Sequence, residues 1–451
     1  MVKLAGVFGS MAPFRALVIG DFLLDAYTTG RVKRISPEAP VPVLEVTGLS
    51  SRPGGAGNVA LNLAALGAQV SVCGRVGLDP EGKELIDRLA HDSIRTEGLF
   101  VEQNYRTSVK NRLIADSQQL LRIDIETVVP VASQYEEKAI AYLAEAIASV
   151  DVVAISDYGK GFLTAKILSS AIALASQHNV PLVVDPKGTD FAKYRGALLI
   201  KPNLSEAYAA AKVSSSTSLE EMARNLLAQT EVQYLLITRS EAGISLFERG
   251  GLRQDFPVRS REVKDVTGAG DTVLAMICLG FANRLEMERM IPLANIAAGI
   301  SIEQVGCAQV TLSQIARRML EVDSESKIFD QNDLYALKQV LMGCPYSLLV
   351  LEKTQLFTQS LFKTIRGLVA LGRELLVYVD SLEPADELIA LLTSLSEVKF
   401  ILLQTQNLQE LCRLAPPTEV FAMDGEKIRT GSVQLLRELL NYNEMIQSEH
   451  V

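Results

Sequence analysis

Short runs of apolar, mostly β-branched residues punctuate the first half of the chain: Ala16–Gly20, Asp151–Ile155, Val180–Val184 and Tyr234–Thr238. Each has the length and near-continuous hydrophobicity of a strand buried on both faces. Between them, stretches such as Glu136–Ala148 and Leu219–Gln229 carry apolar positions three and four apart, which predicts amphipathic helices. The alternation predicts an α/β fold, a doubly wound parallel sheet with helices on both faces. Ligands of such sheets bind beyond the carboxyl ends of the strands. Polar residues fall there: Asp21, Ser156–Asp157, Asp185–Lys187 and Thr238–Arg239. Two further segments with strand character, Val41–Val46 and Thr107–Asp124, lie outside this rhythm.

The rhythm breaks and restarts late in the chain. A polar stretch (Asp323, Glu325, Lys327, Asp330, Asp333) suits a linker. After it come Ser347–Leu351, a helical pattern through Leu371, Leu375–Val379, a helix from Asp386, and Val398–Leu403. These spans predict a first domain over 1–322, a linker over 323–335 and a small Rossmann-like α/β domain over 336–451, long enough to fold independently.

Composition narrows the function classes. Of 451 residues 48% are hydrophobic, yet no apolar run reaches membrane-spanning length, so no membrane partner is expected. The first fourteen residues lack signal-peptide architecture, which predicts a cytoplasmic protein. A net charge of −9 argues against a nucleic-acid partner, and any phosphate must be met by local cations and amides. Five cysteines without paired spacing read as reduced, mostly buried thiols.

Two glycine clusters carry candidate chemistry. In Asp265–Asp271 (DVTGAGD), Gly268 and Gly270 permit a tight turn directly before an apolar helical run, Thr272–Phe281. Free amides at a helix start favour an anion. Asp271 stands at the same entrance, where a carboxylate can take a proton from an attacking hydroxyl while the amides hold a phosphoryl group. The same residues also suit a plain glycine turn capped by Asp271. The second cluster, Arg52–Ala60 (RPGGAGNVA), either brings amides and Asn58 to a sugar's hydroxyls or makes a tight strand-to-helix connection.

Taken together, Gly54–Asn58 and Asp265–Asp271 resemble the two signatures of the ribokinase-like carbohydrate kinase family, a resemblance that runs from about Arg15 to Leu320. Within that family, Arg34–Val43, Ser156–Gly161, Asp185–Phe191, Pro202–Glu206 and Thr238–Gly243 resemble segments of the heptose 7-phosphate kinases of lipopolysaccharide core synthesis. The resemblance implies a ribokinase-like sheet with a small β lid, parts of it near 31–50 and 105–125, that covers the sugar and makes a homodimer contact. It implies ATP and Mg²⁺, admits a monovalent cation held by Ser301–Ala308 and the Asp265 turn, and makes a sugar phosphate the substrate. Asp271 would be the base for the anomeric hydroxyl of D-glycero-β-D-manno-heptose 7-phosphate, with Gly268, Ala269 and Gly270 as the anion hole. Asn203, Glu206, Thr238, Arg239, Gly243, Asp265 and Thr267 would serve the nucleotide, Glu206 through a Mg²⁺ shell water. The Asn203/Glu206 spacing equally makes a capping box. Asp21, Gly54, Gly55, Asn58, Asp157 and Lys187 would serve the sugar. Lys110, Arg112, Gln118 and Arg122 on the lid would meet its second phosphate, or form a solvated strand face. Asp25 reads as a solvated acid. The alternatives are a kinase of another sugar or sugar phosphate, or a non-catalytic nucleotide- or sugar-binding regulator.

The last third resembles the nucleotidyltransferase half of bifunctional heptose enzymes, with Ala370–Ser381 as landmark and Lys427–Val433 as a late nucleotide-binding helix start. Such transferases carry two histidines near the first helix. Here that stretch reads Phe357-Thr358-Gln359-Ser360-Leu361, and the only histidine of the domain is His450. Threonine and leucine cannot supply a cationic donor, so transferase activity is predicted to be absent.

Overall fold

The computed structural model describes residues 11–431 except 117, 252, 259–262, 305, 323–326, 330–332, 343, 352–354, 380–386, 404 and 425–426. The chain divides into two compact units, one spanning Ala12–Thr311 and one that takes in the chain from Leu312 onward together with Met11.

In chain order the strands of the first unit are β1 (Arg15–Gly20), β2 (Phe22–Ile35), β3 (Pro42–Gly55), β4 (Gln69–Gly77), β5 (Arg95–Glu102), β6 (Ser108–Ala115), β7 (Gln118–Ile125), β8 (Val152–Ser156), β9 (Leu182–Asp185), β10 (Leu199–Ile200), β11 (Tyr234–Thr238), β12 (Ile244–Glu248) and β13 (Arg253–Phe256). Nine of them form one sheet in the order β13-β12-β11-β10-β9-β8-β1-β4-β5. Pairing is parallel from β11 through to β5 and antiparallel at β11–β12 and β12–β13. The apolar runs read as parallel strands are the centre of this sheet. Their side chains, among them Leu17, Ile19, Val153, Ile155, Val184 and Leu235, pack against Leu143, Leu168 and Leu226 of the covering helices. From β1 the strand order runs one way through β4 and β5 and the other way through β8 and β9. The crevice between β1 and β8 is therefore a topological switch point, where such sheets bind ligands.

The other four strands form the lid, in the order β3-β2-β6-β7. It is larger than the sequence suggested. β2 leaves β1 after the single residue Asp21, and β3 ends in the glycine loop, where Phe22 pairs with Gly55. The lid is thus rooted in the switch point itself. Its outer strand β7 is exposed along almost its whole length.

The second unit holds a six-stranded sheet in the order Ile328–Phe329, Phe400–Leu403, Glu374–Val379, Tyr346–Leu351, Glu419–Asp424, Lys427–Gly431. All but the last pair are parallel. Helices Gln359–Val369 and Glu387–Ser394 contribute Leu361, Ile365, Ile389 and Leu392 to its core. Two expectations change here. Ile328 and Phe329, inside the stretch read as a linker, pair with Ile401 and Leu402, because two adjacent apolar residues gain more as an edge strand than in water. Of the stretch read as a helix start, the described part, Lys427–Gly431, is an antiparallel strand on Glu419–Asp424. Ser432, Val433 and His450, like Asp323, Glu325 and Asp330, lie outside the described residues. The five cysteines are free thiols, four of them buried.

Candidate active site

The Asp265–Asp271 turn leads into the helix Ala269–Ala282, buried from Asp271 to Gly280 and packed over β8 and β9. Gly268 at its N-cap has φ +81°, and a Cβ there would lie 2.8 Å from Asn58 Nδ2, so only glycine fits. The turn is held by Asp265, which accepts from the Thr267 amide (2.9 Å), the Thr267 hydroxyl (2.7 Å) and the Gly306 amide (2.9 Å). Burial pushes the Asp265 carboxyl up, but these bonds outweigh it and hold it below its ordinary value.

Asp271 is 3% exposed. Its Oδ2 accepts from Asn58 Nδ2 at 2.7 Å and its Oδ1 from the Tyr158 hydroxyl at 3.0 Å. Burial pushes this carboxyl up to about 7, reinforced by the nearby Asp185 and opposed by Asn58, Lys201 and Tyr158. Asn58 is oriented in turn by Asn62, which donates to its Oδ1 (3.3 Å) and its carbonyl (3.0 Å). Asn58, expected to meet a sugar hydroxyl, lies in the first turn of helix Ala56–Ala65, where its amide nitrogen reaches Asp271.

Asp185 and Lys201 close the other side of the turn. They pair at 3.0 Å, Lys201 being 2% exposed, and a Cβ on Gly270 would lie 3.5 Å from Lys201 Nζ. Sequence reasoning gave neither a role. Both follow apolar strands at the sheet's carboxyl edge, and that position was the available signal.

Other expected site residues are placed as follows. Asp21 accepts from the amides of Tyr158 (3.0 Å), Lys160 (2.9 Å) and Phe162 (3.3 Å), so it tethers the loop after β8. Asp157 in that loop accepts from the Tyr194 hydroxyl (2.6 Å) and Lys193 (2.7 Å). Asn203 caps helix Leu204–Ala211 in a full capping box with Glu206. Glu206 also pairs with Lys187 at 2.7 Å. Thr238 bridges to Asn203 at the strand end, and Arg239 pairs with Asp255 at 3.3 Å. Gly243 closes the same turn, its amide donating to the Ser240 carbonyl.

On the lid, Asp25 corrects an expectation. It is buried at 4% exposure, pairs with Arg112 and accepts from the Cys307 thiol at 3.5 Å. The reason is β2: alternation puts Asp25 and Tyr27 on one face, and Gly54, diagonal to Asp25 on β3, leaves room, since a Cβ there would lie 2.0 Å from Asp25 Oδ2. Arg112 lies over the Tyr27 ring and Lys110 over the Tyr158 ring, at 5.5 and 4.8 Å. Arg122 stands opposite Arg112 and Gln118 opposite Ala115 in the β6–β7 register, so Arg122 shares the Arg112 face of the lid. Arg122 and Gln118 lie on exposed β7, where Arg122 forks onto Asp124 at 2.8 and 2.9 Å.

The comparisons with known proteins bear on what this arrangement is. A family model described as pfkB family carbohydrate kinase matches residues 15–314. The chain belongs to the pfkB family of carbohydrate kinases. Among its pfkB relatives, the Bifunctional protein HldE of Trichlorobacter lovleyi is 44% identical over 71% of this chain and 66% of its own length. That of Citrifermentans bemidjiense is 46% identical over 71% and 67%. The chain thus spans about two thirds of the length of the curated relatives it matches. An Arabidopsis thaliana ribokinase complexed with ribose and ATP shares the fold at TM-score 0.55 and 16% identity, over 68% of this chain and 99% of that one. Escherichia coli phosphofructokinase-2 in complex with potassium does so at TM-score 0.58 and 17%, over 69% and 99%. The pfkB unit is ribokinase-like. Among the described residues no helix is long and apolar enough to cross a membrane.

Proposed function

We propose that this carbohydrate kinase transfers the γ-phosphoryl group of ATP to the anomeric hydroxyl of D-glycero-β-D-manno-heptose 7-phosphate, giving the 1,7-bisphosphate for ADP-heptose and lipopolysaccharide core synthesis. The observation that carries the reading is Asp271: a buried carboxylate held at both oxygens, beside a glycine anion hole, with its pKa raised to about 7. Asp271 takes the hydroxyl proton, the sugar oxygen bonds to the γ-phosphorus, the β–γ bridging P–O bond breaks, and ADP leaves. The amides of Gly268, Ala269 and Gly270 and the ammonium of Lys201 meet the charge on the transferring group. The sugar's distal phosphate falls to Lys110 and Arg112. Lys110 suits an anion, because it is half-buried and, among the described residues, has no carboxylate within ion-pair distance.

Among the described residues no three His, Cys, Asp or Glu side chains gather to hold a metal. A Mg²⁺ that keeps its waters and leans on nucleotide phosphates needs only one or two carboxylates, and Glu206 fits that demand. When bound, it neutralises phosphate oxygens; a monovalent cation would sit on backbone carbonyls near the Asp265 turn. Exposed Leu49, Leu121 and Ile123 on the lid favour a homodimer through that sheet, which light scattering tests. The second unit we read as lacking transferase activity, on the missing histidine pair.

The deciding experiment is ATP turnover with heptose 7-phosphate, fructose 6-phosphate and ribose, for wild type and Asp271→Asn. Turnover with the heptose alone, lost in the variant, is the expected result. Equal turnover with another sugar would transfer the assignment to that sugar, and none with any sugar would favour the regulatory reading.

A further inference from the structure

Tyr158 does more than fill space beside Asp271. Its amide is fixed by Asp21, and the loop that carries it is gripped from behind by buried Arg75, which donates to the Lys160 carbonyl at 2.8 Å while paired with Glu102. Separate anchors thus aim one side chain. Its hydroxyl donates to Asp271 Oδ1 and its ring faces the Lys110 ammonium on lid strand β6. Tyr158 is the one side chain among those described here that touches both the base and a lid cation.

We propose that Tyr158 is a positioning residue that fixes the base for transfer and ties it to the lid through Lys110. The inference rests on Asp271 being the base. A carboxylate has about four lone-pair sites; with Asn58 and Tyr158 each taking one, the lone pairs left for the substrate hydroxyl have a set direction. Burial, with Asp271 and Asp185 nearby, holds the Tyr158 phenol well above its ordinary value, so it stays a donor throughout the working range. A cation over its ring draws electron density from the phenol and strengthens that donation. An anionic sugar that engages Lys110 therefore acts on the base through one side chain.

The groups facing Asp271 are Asn58, Tyr158, Asp185, Lys201 and Cys307. Tyr158→Phe removes one donor and leaves the others. The expected result is an acid limb of kcat/KM moved up by about one pH unit and a kcat lowered about tenfold, with the KM for ATP unchanged. Lys110→Met is expected to move the limb the same way by less, and Lys110→Arg to leave it in place. Added to Tyr158→Phe, Lys110→Met is expected to have no further effect on the limb. Asp271→Asn is measured alongside. If it keeps activity, the base reading falls and this inference with it. If it is inactive but the acid limb of Tyr158→Phe does not move, Tyr158 is packing only and the inference alone is overturned. Equal limb shifts from Lys110→Met with and without Tyr158→Phe would overturn the lid link. Melting curves check that Tyr158→Phe folds; should it not, Lys110→Met in the wild-type chain still tests the link, because it leaves every Tyr158 anchor in place.

Discussion

Two parallel sheets of the same general design bury very different things. The pfkB unit buries Asp21, Asp25, Asp157, Asp271, Arg75, Glu102 and Lys201, together with Asn58 and Asn62. Among the described residues of the second unit, the buried polar side chains are Ser347, Gln355, Thr364, Asn407 and a single charged one, Asp333. Burying an ion costs several kcal/mol unless it is paired and hydrogen-bonded. A fold accumulates such costs where they do chemistry, and the accumulation lies at the switch point of the first sheet. The second sheet has the stability logic of its neighbour without that investment.

The sharpest way to break this contrast is to neutralise its centre. Asp271→Asn is expected to lower kcat by roughly 10³-fold, within the range for a general base, with little change in the KM for ATP. The wild type should lose kcat/KM about tenfold per pH unit below about 7, since the carboxyl titrates there and the base is lost as the pH falls. A profile flat down to pH 5 would show that proton removal by Asp271 is not required.

Arg75 tests whether the buried charges are coupled. With Arg75→Ala, Glu102 is left buried without its partner at 2.8 Å, and the Lys160 carbonyl loses its donor. Unfolding free energy should fall by about 3 kcal/mol in denaturant titrations, and kcat should fall as well, because the Tyr158 loop loosens. A stable variant with full activity would mean that the loop does not depend on this clamp.

Arg112→Ala separates the inner lid strand β6 from the outer strand β7. It should raise the KM for the sugar phosphate about tenfold while Arg122→Ala stays within about twofold, since Arg112 is nearly buried against Asp25 whereas Arg122, opposite it on the same face, is half-exposed and forked onto Asp124. Equal effects would place the distal phosphate on β7.

The sequence made the sheets legible and the polar centre only partly so. Apolar β-branched runs survive as strands because a strand buried on both faces must be apolar at every position. The Gly268 turn was legible because a positive φ has few residues that can occupy it. β2 was not, since Phe22–Ile35 mixes polar and apolar positions and one lid face is wet. Asp25 looked solvated for the same reason. The partners of Asp271 were hidden differently. Asn58 and Tyr158 lie more than a hundred positions away in sequence, and Lys201 is a buried lone cation whose mate Asp185 only the β9–β10 neighbourhood supplies. Contacts of that kind belong to topology, which local patterning does not encode.

The smallest expected effect probes the other half of the contrast. Thr358 caps helix Gln359–Val369 in the second unit, its hydroxyl accepting from the Leu361 amide at 3.2 Å. The start of this helix is thus occupied by its own cap. Thr358→Ala should lower the stability of the second unit by about 1 kcal/mol, seen as an earlier transition in thermal unfolding of the full chain. Turnover of the sugar phosphate should not change, because the substitution alters only a helix cap of the second unit. A several-fold loss of turnover with an intact first transition would show that the second unit takes part in the kinase reaction, and the contrast between a charged working sheet and a plain structural one would have to be abandoned.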